Sequence, residues 1–573
     1  MKKMGDRMSR KLMVPVFLCV YVFLSSSVFA QVEKVDRSEV QIQKELQLRQ
    51  RIEAKKVKPQ VEEEAPAPES ALSASDAKTL ITKIDVTGVT LLKEKEINDI
   101  IAQNINKELT VREMQKIADL ITDIYRQKGY ITSRAYLPPQ KIESGRVEIK
   151  VVEGMAGSLE VRGNKYFKTY LYEKMMGLPK GGPFDYNSLR KGLSRINQQP
   201  DRSAKAVLAP GKEPGTTDVI LEVQDRLPMH IGLAWDNYGS RYIERNRYRT
   251  TLTHNNLLGF DDTLTIQYQM SEADHYKLFM GRYVFPVTSD LKIGFFGAES
   301  RLRLGKEFED LNARGKTRLY SAYAVKTLLD TENANLVFNT GFDYKDIFNF
   351  QSGDETSRDR LRIVKAGLDL DVTDNFGRTL STYEIDYGIP DIMGGLDSQD
   401  ARASRDGSGG KFVKNNINFI RLQKMPFDSS ILWKNQIQLS PYILPAAEQF
   451  QIGGIANVRG YPTAEAVGDN GYSMTWEWSF PVYFIPKDVQ VPFSKAKLYD
   501  AIRVVAFYDW ANTRLRRPAA GEEKNTTLRG AGVGVRVNLP ENFSAKVEFA
   551  WPLDKLPSDG DRLHTWFEVS KSF

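Results

Sequence analysis

The stretch Gly471–Phe480, GYSMTWEWSF, decides the fold class of this chain. Apolar side chains alternate in it with polar ones, Tyr472, Met474, Trp476, Trp478 and Phe480 with Ser473, Thr475, Glu477 and Ser479. An alternation of period two is typical of a β-strand with one apolar and one polar face. The stretch therefore predicts a strand that separates two different environments.

Segments of the same kind fill the region from Leu227 to Phe573. Their predicted positions are near residues 229, 246, 262, 275, 290, 317, 335, 361, 378, 415, 430, 471, 502, 527, 543 and 564. A tilted strand that crosses an outer membrane needs ~10 residues, so sixteen strands use about 160 residues and leave connections of about 12 on average.

The predicted connections alternate in length. Short ones fall at residues 256–261, 286–289, 330–334, 374–377, 425–429 and 540–542, and long ones between them include 300–313, 346–360, 389–414 and 443–470. Short turns on one side and long loops on the other are typical of an outer-membrane barrel, with the long loops outside. The fold class is therefore an all-β transmembrane barrel of sixteen antiparallel strands, residues 227–573. Residues 481–501 are an exception, a long connection on the short side.

The N-terminus carries an export signal. Basic residues precede the apolar run Leu12–Leu24, and Val28–Ala30 suits a signal peptidase, which predicts a signal peptide over residues 1–30 and a mature chain that begins at Gln31. The single cysteine, Cys19, leaves with the signal, so the mature chain has no disulfide. The signal also carries +4 of the formal net charge of +7, so the remaining charge does not favour nucleic acid.

The next segments are polar. Residues 31–58 lack glycine and proline but have only a thin apolar stripe, which predicts a solvated spacer helix or a plug helix that docks in a polar cavity. Residues 59–77 are rich in Pro, Glu, Ser and Ala and predict a flexible linker. Two units with the order β-α-α-β-β follow, at residues 78–154 and 155–226, and the repetition indicates related domains.

The first unit resembles a POTRA domain of the two-partner secretion transporters, the TpsB family of haemolysin and haemagglutinin secretion proteins. The resemblance rests on Ile124–Gln140, IYRQKGYITSRAYLPPQ, followed by Val151-Val152-Glu153-Gly154, and the second unit resembles their second POTRA domain through residues 210–218. A three-stranded sheet with helices on one face has an open edge that can accept an extended peptide. The predicted client-binding residues are Tyr130, Ile131, Thr132, Ser133, Arg134, Ala135, Tyr136 and Leu137.

The loop 443–470 contains the tetrad Val458-Arg459-Gly460-Tyr461, which resembles the signature of the POTRA-barrel superfamily. In that superfamily the loop folds into the lumen, and its arginine meets an aspartate of a Phe-x-Asp-x-Gly motif. The matching stretch is Phe507-Tyr508-Asp509-Trp510-Ala511, in which alanine replaces the last glycine. The resemblance thus implies an ion pair between Arg459 and Asp509, with Phe507 beside it. The terminal Phe573 resembles the signal by which barrels reach the insertion machinery, although Lys571 departs from that pattern.

The sequence contains few features that indicate another class of function. The four histidines have no metal-ligand spacing, and neither a nucleotide loop nor a nucleophile elbow is present, so we expect no catalytic residue, metal or cofactor, no nucleotide and no nucleic acid. The resemblance implies an outer-membrane transporter with periplasmic POTRA domains. Its expected partners are a large secreted β-helical protein, outer-membrane lipids and the barrel assembly machinery. An outer-membrane insertase is the alternative, and a porin or a barrel enzyme fits less well.

Overall fold

The computed structural model describes residues 32, 34–53, 60–63, 77–331, 333–492, 494, 496–540 and 542–573. The predicted signal peptide and the linker residues 59 and 64–76 lie outside them. The chain divides into two compact units, one formed by the N-terminal helix with Met229–Phe573 and the other by the region between them. Within the described residues, no helix is long and apolar enough to cross a membrane.

Helix α1 spans residues 34–53, and residue 32 is helical as well. Residues 54–58 of the predicted helix fall outside the described part of the chain. Ile42 is buried against Tyr238 and Trp566, and Ile52 is buried against the barrel residues Leu380 and Ile420. Because these contacts are with the inner wall of the barrel, α1 lies in the lumen.

The first α/β unit packs one face of a long helix against its sheet. Its elements are β2 Thr79–Ile81, β3 Lys83–Thr87, α2 Glu94–Ala102, β4 Lys107–Leu109, α3 Val111–Gln127, β5 Arg134–Tyr136 and β6 Arg146–Val152. Helix α3 begins at a capping box in which Thr110 and Glu113 satisfy each other's backbone N–H groups. The main sheet has the order β3-β6-β5, with β3 parallel and β5 antiparallel to β6. The predicted three-stranded sheet is present, and β2 and β4 form a small additional pair.

The second unit contains β7 Met155–Arg162, α4 Thr169–Met176, α5 Tyr186–Asn197, β8 Arg202–Pro210 and β9 Thr216–Asp225. It also contains a strand that the sequence did not predict, because β1, Gln60–Glu63, lies within the predicted linker 59–77. Strand β1 pairs in parallel with β8, from Gln60 opposite Lys205 to Glu63 opposite Leu208. The linker prediction is therefore wrong for these four residues. An edge strand with free backbone groups can order a polar segment that has little propensity of its own.

The barrel is a closed sheet of sixteen antiparallel strands, as predicted. Its strands are β10 Met229–Asp236, β11 Arg247–His254, β12 Thr263–Ser271, β13 Tyr276–Pro286, β14 Leu291–Arg303, β15 Arg314–Asp330, β16 Ala334–Gln351, β17 Asp354–Asp374, β18 Gly377–Gly388, β19 Phe412–Lys424, β20 Ser430–Leu439, β23 Asn470–Pro481, β24 Ile502–Arg514, β25 Asn525–Leu539, β26 Phe543–Pro552 and β27 His564–Ser572. In β23 the aromatic residues Trp476 and Trp478 face outward, whereas Glu477 is buried. The alternation quoted first thus separates lipid from lumen.

The first and last strands close the barrel. Strand β10 pairs with β27 from Gly232 opposite Ser572 to Asp236 opposite Glu568. The pairing continues to the end of the chain, because the Phe573 N–H donates to the Ile231 carbonyl at 2.9 Å and the Ile231 N–H donates to the Phe573 carbonyl at 3.2 Å. The ring of Phe573 is exposed and faces outward.

The predicted long loop 346–360 is wrong. Strands β16 and β17 continue through it and are joined by Ser352 and Gly353 alone. Both residues have positive φ, 52° and 100°, as a tight two-residue hairpin requires. The long connection 481–501 is present, and its only helix among the described residues is α6, Leu498–Ala501.

Candidate functional site

The loop 443–470 folds into the barrel instead of standing outside it. Its ends form a two-stranded ribbon, β21 Phe450–Ile452 and β22 Ala466–Gly468. Asn457 ties the tip together, since its Oδ1 accepts from the N–H groups of Gly453 and Val458, each at 2.8 Å. Val458 and Tyr461 are fully buried. The tip is thus an ordered element inside the lumen.

Arg459 meets Asp509, the aspartate that the motif resemblance designates. Its Nε donates to Asp509 Oδ2 at 2.8 Å and its Nη2 to Oδ1 at 2.9 Å, and its backbone N–H donates to Oδ2 at 3.1 Å. This is a bidentate, charge-assisted contact, the strongest kind of side-chain hydrogen bonding. The guanidinium carbon also lies 3.3 Å from the centre of the Phe507 ring. A planar guanidinium stacked on a ring has little freedom to rotate.

The arginine also contacts two carboxylates that sequence reasoning missed. Its Nη1 donates to Glu477 Oε2 at 3.1 Å and to Glu548 Oε2 at 3.0 Å. Arg536 bridges the same two glutamates, with Nη2 at 2.7 Å from Glu477 Oε2. Arg49 of helix α1 donates to Glu477 as well. Three arginines therefore balance three carboxylates in a buried network, which we call the luminal network: Arg49, Arg459, Arg536, Glu477, Asp509 and Glu548.

Gly460 allows this approach because no side chain fits at its position. A Cβ there would lie 2.6 Å from the carbonyl oxygen of Trp551 and 2.8 Å from the nitrogen of Pro552, both backbone atoms. The neighbouring carbonyl of Arg459 accepts from the indole N–H of Trp566 at 2.8 Å. The loop backbone is therefore held directly against the barrel wall.

Val458 and Tyr461 anchor the apolar side of the tip. They pack in one cluster with Phe450, Ile452, Ala511 and Leu528. Ala511, which replaces the glycine of the motif, is fully buried in this cluster. Its methyl group thus adds an apolar contact under the loop and leaves the ion pair in place.

Helix α1 has further polar contacts with the lumen wall. Glu39 and Arg247 form a fully buried ion pair, and Arg247 Nε also donates to Asp236 at 2.7 Å. Nearer the C-terminal end of the helix, Glu45 lies 2.8 Å from Lys434, whose Nζ donates to the carbonyl of Ala456 in the loop tip at 2.7 Å. The helix is therefore bound to the wall through charged groups, and it contacts the loop directly at Gln451, whose Nε2 donates to the Lys34 carbonyl at 3.0 Å.

The predicted client-binding segment 130–137 lies at the edge of the first α/β sheet. Only Arg134–Tyr136 form a strand, and Ser133 and Ala135 are buried. The edge is partly satisfied by helix α3, because the Ala135 N–H donates to Thr122 Oγ1 at 3.0 Å and the Leu137 N–H to Gln115 Oε1 at 3.3 Å. The remaining predicted residues, Tyr130, Ile131 and Thr132, form the turn before the strand.

In the same domain, the carboxylate of Glu153 joins the loop after strand β3 to helix α3. Glu153 accepts from the N–H groups of Thr90 at 2.7 Å and Leu91 at 2.8 Å and from the Tyr125 hydroxyl at 2.7 Å. Burial opposes its charge, but the hydrogen bonds from Thr90 and Tyr125 outweigh burial and lower the pKa of Glu153. Burial, followed by the bond to Glu153, raises the pKa of Tyr125.

One group of possible metal ligands lies near the end of the chain. Ligand atoms of Asp559, Asp561 and His564 lie within 4.8 Å of one another. Arg245 Nη2 lies 2.8 Å from Asp559 and 3.5 Å from Asp561, and His564 Nε2 lies 3.1 Å from Asp559. The guanidinium already supplies the positive charge that these carboxylates need, so the group is a structural ion-pair cluster.

The missed residues had a partial signal in the sequence. Glu477 stands on the polar face of the stretch that decides the fold, and Glu548 alternates with Val547 and Phe549 in the same way. Alternation thus places both side chains in the lumen. It does not show that they converge on Arg459, because that depends on how the closed barrel sets β23 beside β24 and β25 beside β26.

The fold and this site define a class of protein. A closed barrel with a folded-in arginine loop, preceded by two α/β units, is a POTRA-containing barrel of the bacterial outer membrane, with its POTRA domains in the periplasm.

The comparison with known families is specific. Residues 215–537 match the family "Haemolysin secretion/activation protein ShlB/FhaC/HecB", and residues 79–154 match the "POTRA domain, ShlB-type". The first match spans more than half of the chain, and the chain belongs to this family.

Relatives and solved structures agree with this assignment. The chain is 23% identical over 575 residues to the outer membrane transporter CdiB of Escherichia coli O6:K15:H31, with 97% of this chain and 93% of the relative covered. It is 22% identical over 490 residues to the heme/hemopexin transporter protein HuxB of Haemophilus influenzae, with 83% and 84% covered. The solved structure of CdiB from Escherichia coli covers 94% of this chain and 98% of its own, at 20% identity and a TM-score of 0.75.

Proposed function

We propose that the protein exports a large, unfolded partner protein through its barrel lumen to the cell surface, as the transporter half of a two-partner secretion system. The observation that carries this proposal is the state of the lumen. Two elements that are not strands of its wall, helix α1 and the loop 443–470, occupy it and are held there by ion pairs and small apolar clusters. A passive porin has no need of two such elements.

The client enters through the first POTRA domain. Strand β5 offers backbone groups at Ala135 and Leu137 whose present partners are the side chains of Thr122 and Gln115. An extended client segment replaces these with main-chain hydrogen bonds, and its side chains select the register. The segment 130–137 is the receptor edge in this proposal.

Helix α1 is the plug of the resting pore, and the rest of the linker 59–77 is its tether. A cavity of about 870 Å³ lies beside the helix and is lined by it together with strands from β12 to β20. The charged lining favours a solvated helix that can leave, since an apolar plug would lose more on contact with water. When the helix leaves the lumen toward the periplasm, the lumen opens to the client.

The luminal network is the latch of the loop. Removing one partner of a buried ion pair costs ~3 to 5 kcal/mol, so Arg459 holds the loop tip at one position on the wall. Transport uses no nucleotide, metal or cofactor in this proposal, and the protein is not an enzyme. Folding of the client outside the cell supplies the free energy. The barrel itself reaches the membrane through the assembly machinery, with Phe573 in its signal.

Co-expression tests the function. The transporter is produced with the large protein encoded beside its gene, and the client is assayed in the medium. We expect export by the wild type and none by Arg459→Ala, while Arg517→Ala, at an exposed arginine of a neighbouring loop, exports normally. Heat-modifiable migration in gels reports that each barrel is folded.

Two results contradict this function. If Arg459→Ala exports the client at the wild-type rate, the luminal network is not a latch. Loss of many unrelated outer-membrane proteins on deletion of the gene, with the client still exported, identifies an insertase instead.

A further inference from the structure

Basic side chains cover one outward face of the barrel near its outer end. They belong to three adjacent strands: Lys277 on β13, Arg301 and Arg303 on β14, and Arg314, Lys316 and Arg318 on β15. Their neighbours in sequence point the other way, since Ser300 and Thr317 bind Asp36 of the luminal helix. Because side chains alternate along a strand, the six cations face the membrane. We call them the basic face.

The register places these cations side by side. Arg301 stands opposite Lys277 on one neighbouring strand and Lys316 on the other, and Arg303 stands opposite Arg314. Like charges directly opposite each other destabilise a sheet unless something compensates for them. The arrangement therefore indicates a negatively charged partner.

The carboxylates nearby do not balance this charge. Glu299 is shared by three cations, Arg301 at 2.7 Å, Arg318 at 3.3 Å and Lys316 at 3.7 Å. Asp274 pairs with Lys277 and Glu309 with Arg303, so three carboxylates pair with five of the six cations, and the sixth, Arg314, donates to the neutral Asn312. All of these pairs are at least partly exposed, and exposed pairs contribute little and rearrange readily.

The height of the basic face matches a lipid headgroup layer. The chain enters the barrel from the periplasm at Met229, so β14 begins at the inner side with Leu291 and ends at the outer side. Ten residues at ~3.3 Å each, tilted ~40°, raise Arg301 by about 25 Å above Leu291, which is the height of the apolar band of such barrels. Below the cations the outward side chains are aromatic, with Phe279, Phe295 and Tyr320 each more than half exposed.

The other side of the barrel lacks this pattern. The outward row at the outer ends of β23, β24 and β25 contains Tyr472, Asn512 and Thr527. Asn512 donates to Thr527 Oγ1 at 2.8 Å, so the row is polar but uncharged. Arg514 on β24 and Arg529 on β25 also face outward, but Arg514 stands opposite Asn470 and Asn525, and Arg529 is paired with Asp554. The crowding of like charges on β13, β14 and β15 is therefore not repeated on these strands.

We propose that the basic face binds the phosphorylated glycolipid of the outer leaflet, lipopolysaccharide, through the phosphates of its lipid A. Arginine and lysine at headgroup depth recognise phosphate by charge-assisted hydrogen bonds, and the aromatic row below them contacts the acyl chains. The site fixes one side of the barrel to an ordered lipid. It lies away from the luminal network and does not depend on the transport proposal.

Binding is measured on the full-length protein in detergent with three probes: diphosphoryl lipid A, dephosphorylated lipid A and phosphatidylglycerol. The test variant is Arg301→Gln, Arg303→Gln, Arg314→Gln and Lys316→Gln combined. The matched control carries four exposed loop changes, Lys411→Gln, Arg517→Gln, Lys524→Gln and Arg562→Gln. We expect the test variant to bind diphosphoryl lipid A about ten-fold more weakly or worse than wild type, and the control to bind it unchanged.

Three results overturn the proposal. One is equal affinity of test variant and wild type for diphosphoryl lipid A. Another is that the wild type binds dephosphorylated lipid A as tightly as diphosphoryl lipid A. The last is that it binds phosphatidylglycerol as tightly as diphosphoryl lipid A, because the basic face would then attract any anionic lipid. The comparison of probes on the wild type needs no variant, so it decides even if the test variant fails to fold.

Discussion

Arg459→Ala should release the loop tip from the barrel wall. In the wild type the side chain donates to Asp509, Glu477 and Glu548, and its removal leaves three carboxylates with only Arg536 and Arg49. Truncating one member of a buried ion pair costs ~3 to 5 kcal/mol. Two arginines remain in the network, so the low end applies, ~3 kcal/mol. Because each 1.4 kcal/mol is a factor of ten, the ratio of docked to undocked loop should fall by about 100-fold.

The low cysteine content of the chain offers a clean reporter for this change. Its only cysteine is Cys19, in the predicted signal peptide, so a single introduced cysteine can be read without background. Ala456 lies in the loop tip with 4% of its surface exposed. We expect Ala456→Cys to react slowly with a membrane-impermeant maleimide in whole cells, and about 100-fold faster in combination with Arg459→Ala. Arg517→Ala in the same background serves as the control and should leave the rate unchanged.

A double variant tests in the same assay whether charge pairing holds the loop. Asp509→Ala with Arg459→Ala removes one charge of each sign and should undock the loop less than the sum of the two single changes. Equal labelling of wild type and Arg459→Ala, with both barrels folded, would refute the conclusion that this ion pair positions the loop.

Other features give further expected outcomes. Deleting residues 31–60 should raise single-channel conductance in planar bilayers, because helix α1 occupies the lumen, and unchanged conductance would argue against a plug. Gly460→Ala should abolish export of the client into the medium, since a Cβ has no space against the backbone opposite, and normal export would show that the loop tip tolerates a shift. Leu137→Pro removes an edge N–H and should weaken client binding to the periplasmic region in pull-down assays by more than Gln115→Ala, which removes only the present partner of that N–H; full binding by a folded Leu137→Pro domain would exclude strand addition at this residue. The lowered pKa of Glu153 means that its stabilising contribution is complete above the ordinary glutamate pKa and is lost as the pH falls through the lowered value. Melting curves of the periplasmic region should therefore show a steeper loss of stability below about pH 5 for the wild type than for Glu153→Gln, and parallel curves would contradict this.

Alternation was enough to predict the barrel because each strand separates lipid from a wet lumen. The two faces of β23 differ so strongly that a single stretch reveals both, and sixteen such segments are present as strands. Alternation was not enough to locate the turn between β16 and β17, where a long loop over residues 346–360 was expected. Polar residues continue through it, and only the positive φ of Ser352 and Gly353 makes the turn. A sequence read for turn residues marks many possible turns and does not rank them.

The candidate site was predictable in part. The motif resemblance singled out Arg459, Asp509 and Phe507, and the structure brings them together. The resemblance did not indicate Glu477 or Glu548. Those two belong to strands far apart in sequence and meet Arg459 only in a closed barrel. The strand at Gln60–Glu63 was missed for a similar reason, because its partner, β8, lies more than a hundred residues later. Local composition carries no record of such pairings.

Closure of the barrel needs the hydrogen bonds between its first and last strands, including those between Ile231 and Phe573, so the barrel cannot close before its last strand is made. Strand β27, which closes the ring on β10, is the last of the sixteen barrel strands to be synthesised. A chain released early by a stop codon, or trimmed by a protease, has one strand fewer or a frayed last strand, and its sheet ends in a free edge. The unpaired backbone groups of that edge favour pairing with other chains, so truncation of the last strand leads to aggregation instead of a closed pore.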